Sequence, residues 1–130
     1  MGMPRPQSKP LTPLQPLMRL QALAGQDVEL LIYGDIGESW NAESVAAQDV
    51  VLALNELADN VATIHVRINS YGGSVADGLA IYNALRRYPA RVSTVVESVA
   101  ASIASLIAMA GETVSMAENA MLMIHAPWSA

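Results

Sequence analysis

Cysteine is absent from the 130 residues, which excludes disulfides and thiolate metal sites and leaves the redox compartment unreadable. Phenylalanine is absent too, so Ala, Val, Leu, Ile and Met supply most of the apolar mass. Side chains that small suit helices packed closely on a sheet, and contacts between subunits. Histidine occurs twice, at 65 and 125, and two distant imidazoles without cysteine fall short of a metal-ligand set, so neither metal nor cofactor is expected. Basic charge is scarce: seven basic against twelve acidic residues, a net charge of −5, removes nucleic acid as the main partner because phosphate binding needs a basic face. The longest apolar run, near 99–111, is interrupted by Ser102 and Ser105 and falls short of a bilayer. The opening MGMPRPQSKPLTPLQP has no apolar stretch after its basic residues, unlike a signal peptide. The expectation is a cytoplasmic protein without a membrane partner.

What is present fits one domain. Half of the residues are hydrophobic (52%), enough for a core. Residues 1–26 carry five prolines and little periodicity and read as a tail or extended arm; residues 27–130 read as the folded domain. The run 27-DVELLIYGDI-36 is a strand ended by Gly34 and Gly37. Residues 42–58 put Val45, Ala47, Val50, Val51, Leu54, Leu57 and Ala58 on one helical stripe, with Asn41 as N-cap and Glu43 in the first turn. The alternation in 62-ATIHVRINS-70 marks a strand, with His65 on its polar face as a structural or surface residue. After 71-YGGS-74 a helix carries Val75, Leu79, Tyr82 and Leu85 at helical spacing. Ser74 and Asp77 form its capping box, and Arg86, Arg87 and Pro89 mark its end. Strand 91–97, a helix over about 101–110 closed by Gly111, and short strands near 112–116 and 120–125 complete the chain. Strands alternating with helices predict an α/β fold with right-handed crossovers and a largely parallel sheet.

Two strand-to-helix turns draw attention, because open α/β sheets place their sites at the carboxyl ends of strands. At the first, Gly72 and Gly73 expose backbone N–H groups able to hold a developing oxyanion. At the second, Ser102 heads a helix after two small neighbours, Ala100 and Ala101, and the Ile103 N–H points the same way. A serine alcohol attacks a carbonyl only when a base takes its proton, and His125, at the end of a later strand, is the histidine placed to do so. By residue type alone the alternatives stand open: a serine at a helix head is more often a cap, Gly-Gly more often a plain turn, and a strand-end histidine more often structural.

The stretches INSYGGSVADGLAIYNAL, VAASIASLIAMAG and MLMIHAP, in that order, resemble the Clp-type serine protease family, and most of all the phage head-maturation (prohead) proteases related to the Clp proteolytic subunit. The likeness runs from about residue 27 to the end. It implies a Clp/crotonase-like ββα superhelix, and stacked homo-oligomeric rings enclosing the sites. It also implies an extended protein or peptide substrate bound beside Gly72, Gly73 and Ser74. The serine of the family's A-A-S motif falls on Ser102 and the histidine of its M-I-H-x-P motif on His125. The oxyanion donors fall on the N–H groups of Gly73 and Ile103. Capsid or scaffold proteins as substrates, an ATP-dependent unfoldase as partner, and the host cytoplasm as location follow from the same resemblance.

The chain departs from that pattern in places. The family's aspartate, which orients the histidine, lies well beyond it, and no residue here matches; the expectation is a C-terminally truncated or processed form of a longer protease. Glu97-Ser98-Val99 stand where the family often has glycine, which is expected to alter the substrate cleft, and Tyr71 stands where proline is common. An inactive assembly module with the same fold is therefore the main alternative function. A Ser-Lys peptidase is disfavoured because the one lysine, Lys9, lies in the proline-rich segment. An acyl-CoA enzyme of the crotonase type would leave the Ser102–His125 pair unexplained.

Overall fold

The computed structural model describes residues 10–12, 18–22, 25–37, 44–57 and 59–124, the side chains being described from residue 25 onward. Three strands form the centre of a seven-stranded sheet: β3 (Asp27–Tyr33), β6 (Thr63–Ser70) and β7 (Arg91–Ala101). They run parallel, with Leu30 beside Val66 and Val66 beside Thr94. Beyond β3 lies β2 (Met18–Ala22), antiparallel to it, and beyond that β1 (Pro10–Thr12), antiparallel to β2. These two strands fall in the segment read from its prolines as an arm. On the far side of β7 lie β8 (Thr113–Met116) and β9 (Met121–Met123), both parallel to it. A small pair, β4 (Asp35–Ile36) and β5 (Ser44–Val45), sits off the main sheet. The helices are α1 (Ala47–Asn55), α2 (Val75–Arg87) and α3 (Ile103–Ala108). The expected α/β class and largely parallel sheet are what the chain adopts.

Alternation builds the core. Val28, Leu30 and Ile32 of β3, Ile64, Val66 and Ile68 of β6, and Val92 and Val96 of β7 are buried and join Val50 and Leu54 of α1, Ile81 and Leu85 of α2, and Ile107 of α3. Each fully buried aliphatic side chain of this size contributes about 1.5–3 kcal/mol. Thr94 lies among them, and its hydroxyl donates to the Ala108 carbonyl at 2.6 Å, so its burial leaves no unsatisfied group.

The single strand expected over 27–36 divides at Gly34, whose φ is 93°, into β3 and β4, and the local expectations differ from the fold at three further places, each for a physical reason. The helix expected over 42–58 begins at Ala47, because Ser44 and Val45 pair with β4 instead; Asn41 and Glu43 lie outside the described residues. The cap on its first turn comes from elsewhere, as Asp77 accepts the Ala47 N–H at 3.1 Å. On α2 the buried positions are Gly78, Ile81, Ala84 and Leu85, while Val75 and Leu79 are exposed, because α2 packs on both α1 and α3. Finally, β7 runs on through 98–101, past the end expected at 97, and α3 begins at Ile103 rather than at about 101. The pairing of β6 with β7 slips between Ile68 and Ser70, so that Ile68 faces Val96 but Ser70 faces Ala100. Past this bulge Val99, Ala100 and Ala101 pair with Met121, Leu122 and Met123, and strand conformation continues up to Ser102.

Candidate active site

Ser102 stands between the last residue of β7 and the first of α3 with φ 56° and ψ −127°, and among the described residues it is the one non-glycine with positive φ. Such a conformation costs about 1–3 kcal/mol and persists only where the surroundings over-determine it. The surroundings here are specific. The Ser102 N–H donates to the Met123 carbonyl at 2.9 Å. Its own carbonyl accepts from the Ser105 N–H at 3.0 Å and from the Ser105 hydroxyl at 2.5 Å. Its side chain makes no capping bond to α3. The ordinary role of a serine at a helix head is thus not the one adopted, and the sharp strand-to-helix turn is the kind that presents a nucleophile.

The second turn closes on the first. A Cβ on Gly72 would lie 2.8 Å from the Ala101 carbonyl oxygen, 3.0 Å from Ser102 Cβ and 3.4 Å from the Ile103 nitrogen. Gly72, with φ +102°, is therefore required both by its backbone and by the serine turn lying against it. A Cβ on Gly73 would lie 2.2 Å from the Ile36 oxygen, because β4 runs directly over the pair. The backbone groups around them are largely spoken for. Gly72 N–H donates to Ser70 Oγ at 3.0 Å, Gly72 carbonyl accepts from Ile36 N–H at 3.0 Å, and Ser74 N–H donates to the Ile36 carbonyl at 2.8 Å. Ser74 Oγ accepts from the Asp77 N–H at 3.2 Å, as the capping box requires, but the Asp77 carboxylate turns to the Ser74 hydroxyl and to Ala47. Gly73 N–H and Ile103 N–H, by contrast, meet no acceptor among the described residues. The second is one of the donors that every helix start leaves unpaired.

His125 lies outside the described residues. The backbone leading to it is fixed by β9, whose Met123 carbonyl holds the Ser102 N–H. Sequence reasoning did not single out Ser70, Ser105, Ile36 or Gly78, although each shapes this site. The signal for Ser105 was a small polar residue inside an otherwise apolar run, and for Ser70 a small hydroxyl just ahead of the glycine pair; both are buried, and each is satisfied by the turn it braces.

Two other features lie apart from the serine. A cavity of about 480 Å³, lined by Val51, Leu54, Leu57, Ala84, Tyr88 and Pro89, opens between the C-terminal ends of α1 and α2. That is the opposite end of the parallel strands from Ser102. On the face of the sheet away from the core, His65 Nε2 pairs with Asp27 at 2.9 Å and Arg67 with Glu29 at 3.1 Å. Tyr33 donates its hydroxyl to Glu97. Burial first, and then the Glu97 carboxylate, push the Tyr33 phenol up to about 12. Glu97, expected to alter the substrate cleft, is thus engaged with Tyr33 and, at 3.6 Å, with Arg67. Among the described residues, no helix is long and apolar enough to cross a membrane, and no group of His, Cys, Asp or Glu is arranged to hold a metal ion.

Comparison with known proteins gives a consistent result. The family model described as Clp protease matches residues 20–130. The chain is 36% identical over 104 residues to the ATP-dependent Clp protease proteolytic subunit of Ligilactobacillus salivarius, covering 78% of this chain and 51% of that protein. It is 38% identical over 104 residues to the subunit of the same name from Leuconostoc citreum, covering 78% and 50%. Among solved structures, a mutant ClpP1 from Listeria monocytogenes superposes with a TM-score of 0.64 at 29% identity, covering 78% of this chain and 57% of that one. The chain thus spans about half the length of the curated relatives it matches.

Proposed function

The chain belongs to the Clp protease family, and from that membership we propose that it is a serine endopeptidase with Ser102 as nucleophile. The observation that carries the reading is the backbone of Ser102: a strained turn, free of any capping duty, pressed against Gly72, the first of a glycine pair whose second N–H meets no acceptor among the described residues. In the mechanism, Ser102 Oγ attacks the scissile carbonyl carbon while His125 takes the hydroxyl proton. The N–H groups of Gly73 and Ile103 stabilise the oxyanion. Collapse breaks the C–N bond, and the imidazolium gives its proton to the departing amine. Water then attacks the acyl-enzyme with His125 again as base, releasing the acid and restoring the serine. The role of His125 is supported by the register of β9, which brings the chain to the Ser102 N–H two residues before the histidine.

The substrate we propose is an extended polypeptide lying against Gly72, Gly73 and Ser74. Because the N–H groups of Gly72 and Ser74 are already bonded, to Ser70 and to Ile36, Gly73 supplies the hydrogen bonds and its neighbours the shape. Exposed Met116 on β8, Met121 and Met123 on β9, and Ile124 just after it favour further copies of the chain as partners, in keeping with a ring. Capsid or scaffold proteins as the natural substrate, and an unfoldase as partner, rest on the motif resemblance. The test is covalent labelling by a fluorophosphonate together with hydrolysis of a peptide mixture. Labelling at Ser102 that disappears in Ser102→Ala is expected. A wild-type chain that forms its oligomer yet is neither labelled nor hydrolytic would instead be an assembly module.

A further inference from the structure

We infer that Gly78 is a positioning residue for the oxyanion site, an inference that rests on the function proposed above. The two donors come from separate loops: Gly73 precedes α2, and Ile103 opens α3. α2 is tied to both. It begins two residues after Gly73, with the Gly78 N–H donating to the Ser74 carbonyl at 2.9 Å, and its second turn packs on Ile103. At that contact a Cβ on Gly78 would lie 2.1 Å from Ile103 Cγ1, 3.0 Å from Cγ2 and 3.1 Å from Cβ. Gly78 has no backbone need to be glycine, since it is helical and is not among the positive-φ residues, and alanine is the better helix former. Glycine is there for the room it leaves.

What fills that room cannot yield easily. Ile103 is β-branched and stiff at χ1, and its branch atoms are the ones a methyl at 78 would meet. Both residues are buried, so the Ile103 side chain cannot swing to solvent. A methyl group at 78 therefore pushes the first residue of α3 away from α2, and the Ile103 N–H moves with it while Gly73 stays anchored under β4 by Ile36. Gly78 thus sets the spacing between the two donors.

The test uses the full chain and a peptide boronate, whose tetrahedral adduct on Ser102 places an oxygen between the donors. Gly78→Ala is expected to weaken boronate binding and to slow fluorophosphonate labelling of Ser102, each by about ten- to a hundredfold. KM for a peptide should stay within about twofold, because the ground-state contacts are unchanged. Gly78→Ala/Ile103→Ala, which removes both branch atoms, is expected to recover most of the lost affinity. A merely structural role would lower the number of boronate sites and leave their affinity alone. Wild-type affinity in Gly78→Ala overturns the inference. Should that variant fail to melt cooperatively, Ile103→Ala tests the same contact from the other side: weakened boronate binding is expected, and unchanged binding overturns the inference. A wild-type chain unlabelled at Ser102 overturns the proposed function and this inference with it, whereas a labelled wild type with an unaffected Gly78→Ala overturns this inference alone.

Discussion

Replacing Gly72 with alanine should damage the serine turn far more than its backbone conformation alone would suggest, and Gly25 provides the control. Both glycines have positive φ, +102° and +75°, so both alanine variants carry backbone strain of about 1–2 kcal/mol. Both also gain about 0.4–1 kcal/mol from a stiffer unfolded chain. They differ in what the new methyl meets. At Gly25 nothing lies within 4 Å. At Gly72 the methyl meets a backbone oxygen at 2.8 Å and Ser102 Cβ at 3.0 Å. Neither is the end of a flexible side chain, so the turn itself has to move, at an overpacking cost of about 1–3 kcal/mol. The excess destabilisation of Gly72→Ala over Gly25→Ala is therefore expected to be about 1–3 kcal/mol in urea unfolding. Because the displaced atoms include Ser102 Cβ, which carries the proposed nucleophile, and lie beside the Ile103 nitrogen, fluorophosphonate labelling of Ser102 should slow at least about tenfold in Gly72→Ala and be unchanged in Gly25→Ala. Equal stability losses with equal labelling rates would refute the close approach of the two turns on which the site is built.

Two further outcomes follow from single residues. Ser102→Gly should be more stable than Ser102→Ala by about 1 kcal/mol in urea, because glycine relieves the strained turn (about 1–3 kcal/mol) at a smaller entropic cost (about 0.5–1 kcal/mol); an alanine variant as stable as the glycine one would show that the turn stores no strain. Tyr33, whose phenol is pushed up to about 12 chiefly by burial, keeps its proton in the folded state where the unfolded chain loses it. Its contribution is therefore present below about pH 10 and fades as pH rises toward 12, so wild-type stability should fall more steeply over that window than that of Tyr33→Phe in parallel melts.

Local chemistry alone made much of this protein legible. The alternation of Ile64, Val66 and Ile68 against His65 and Arg67 marks β6 and its buried face. Ser74 and Asp77 mark the start of α2, and the alternation of strands with helices marks the parallel centre of the sheet. The motifs also pointed to Ser102 and to the glycine pair, of which Gly72 lies against the Ser102 turn. What periodicity could not decide was the run from 98 to 101, apolar enough for either element. It is strand because β9, some 20 residues on, pairs with it. Nor could it decide which stripe of α2 is buried, since α3 takes the side that Gly78 leaves open.

The residue types, their order and the turns they favour were settled by the sequence, because such preferences are free energies of short windows of chain. The strained φ of Ser102, the open N–H groups of Gly73 and Ile103, and the bracing by Ile36, Ser70, Ser105 and Met123 were settled only by the tertiary structure. A strained serine persists only where several parts of the chain hold it at once. Met123 and Gly72 come from other strands and loops, so no single window of sequence contains the balance that fixes it.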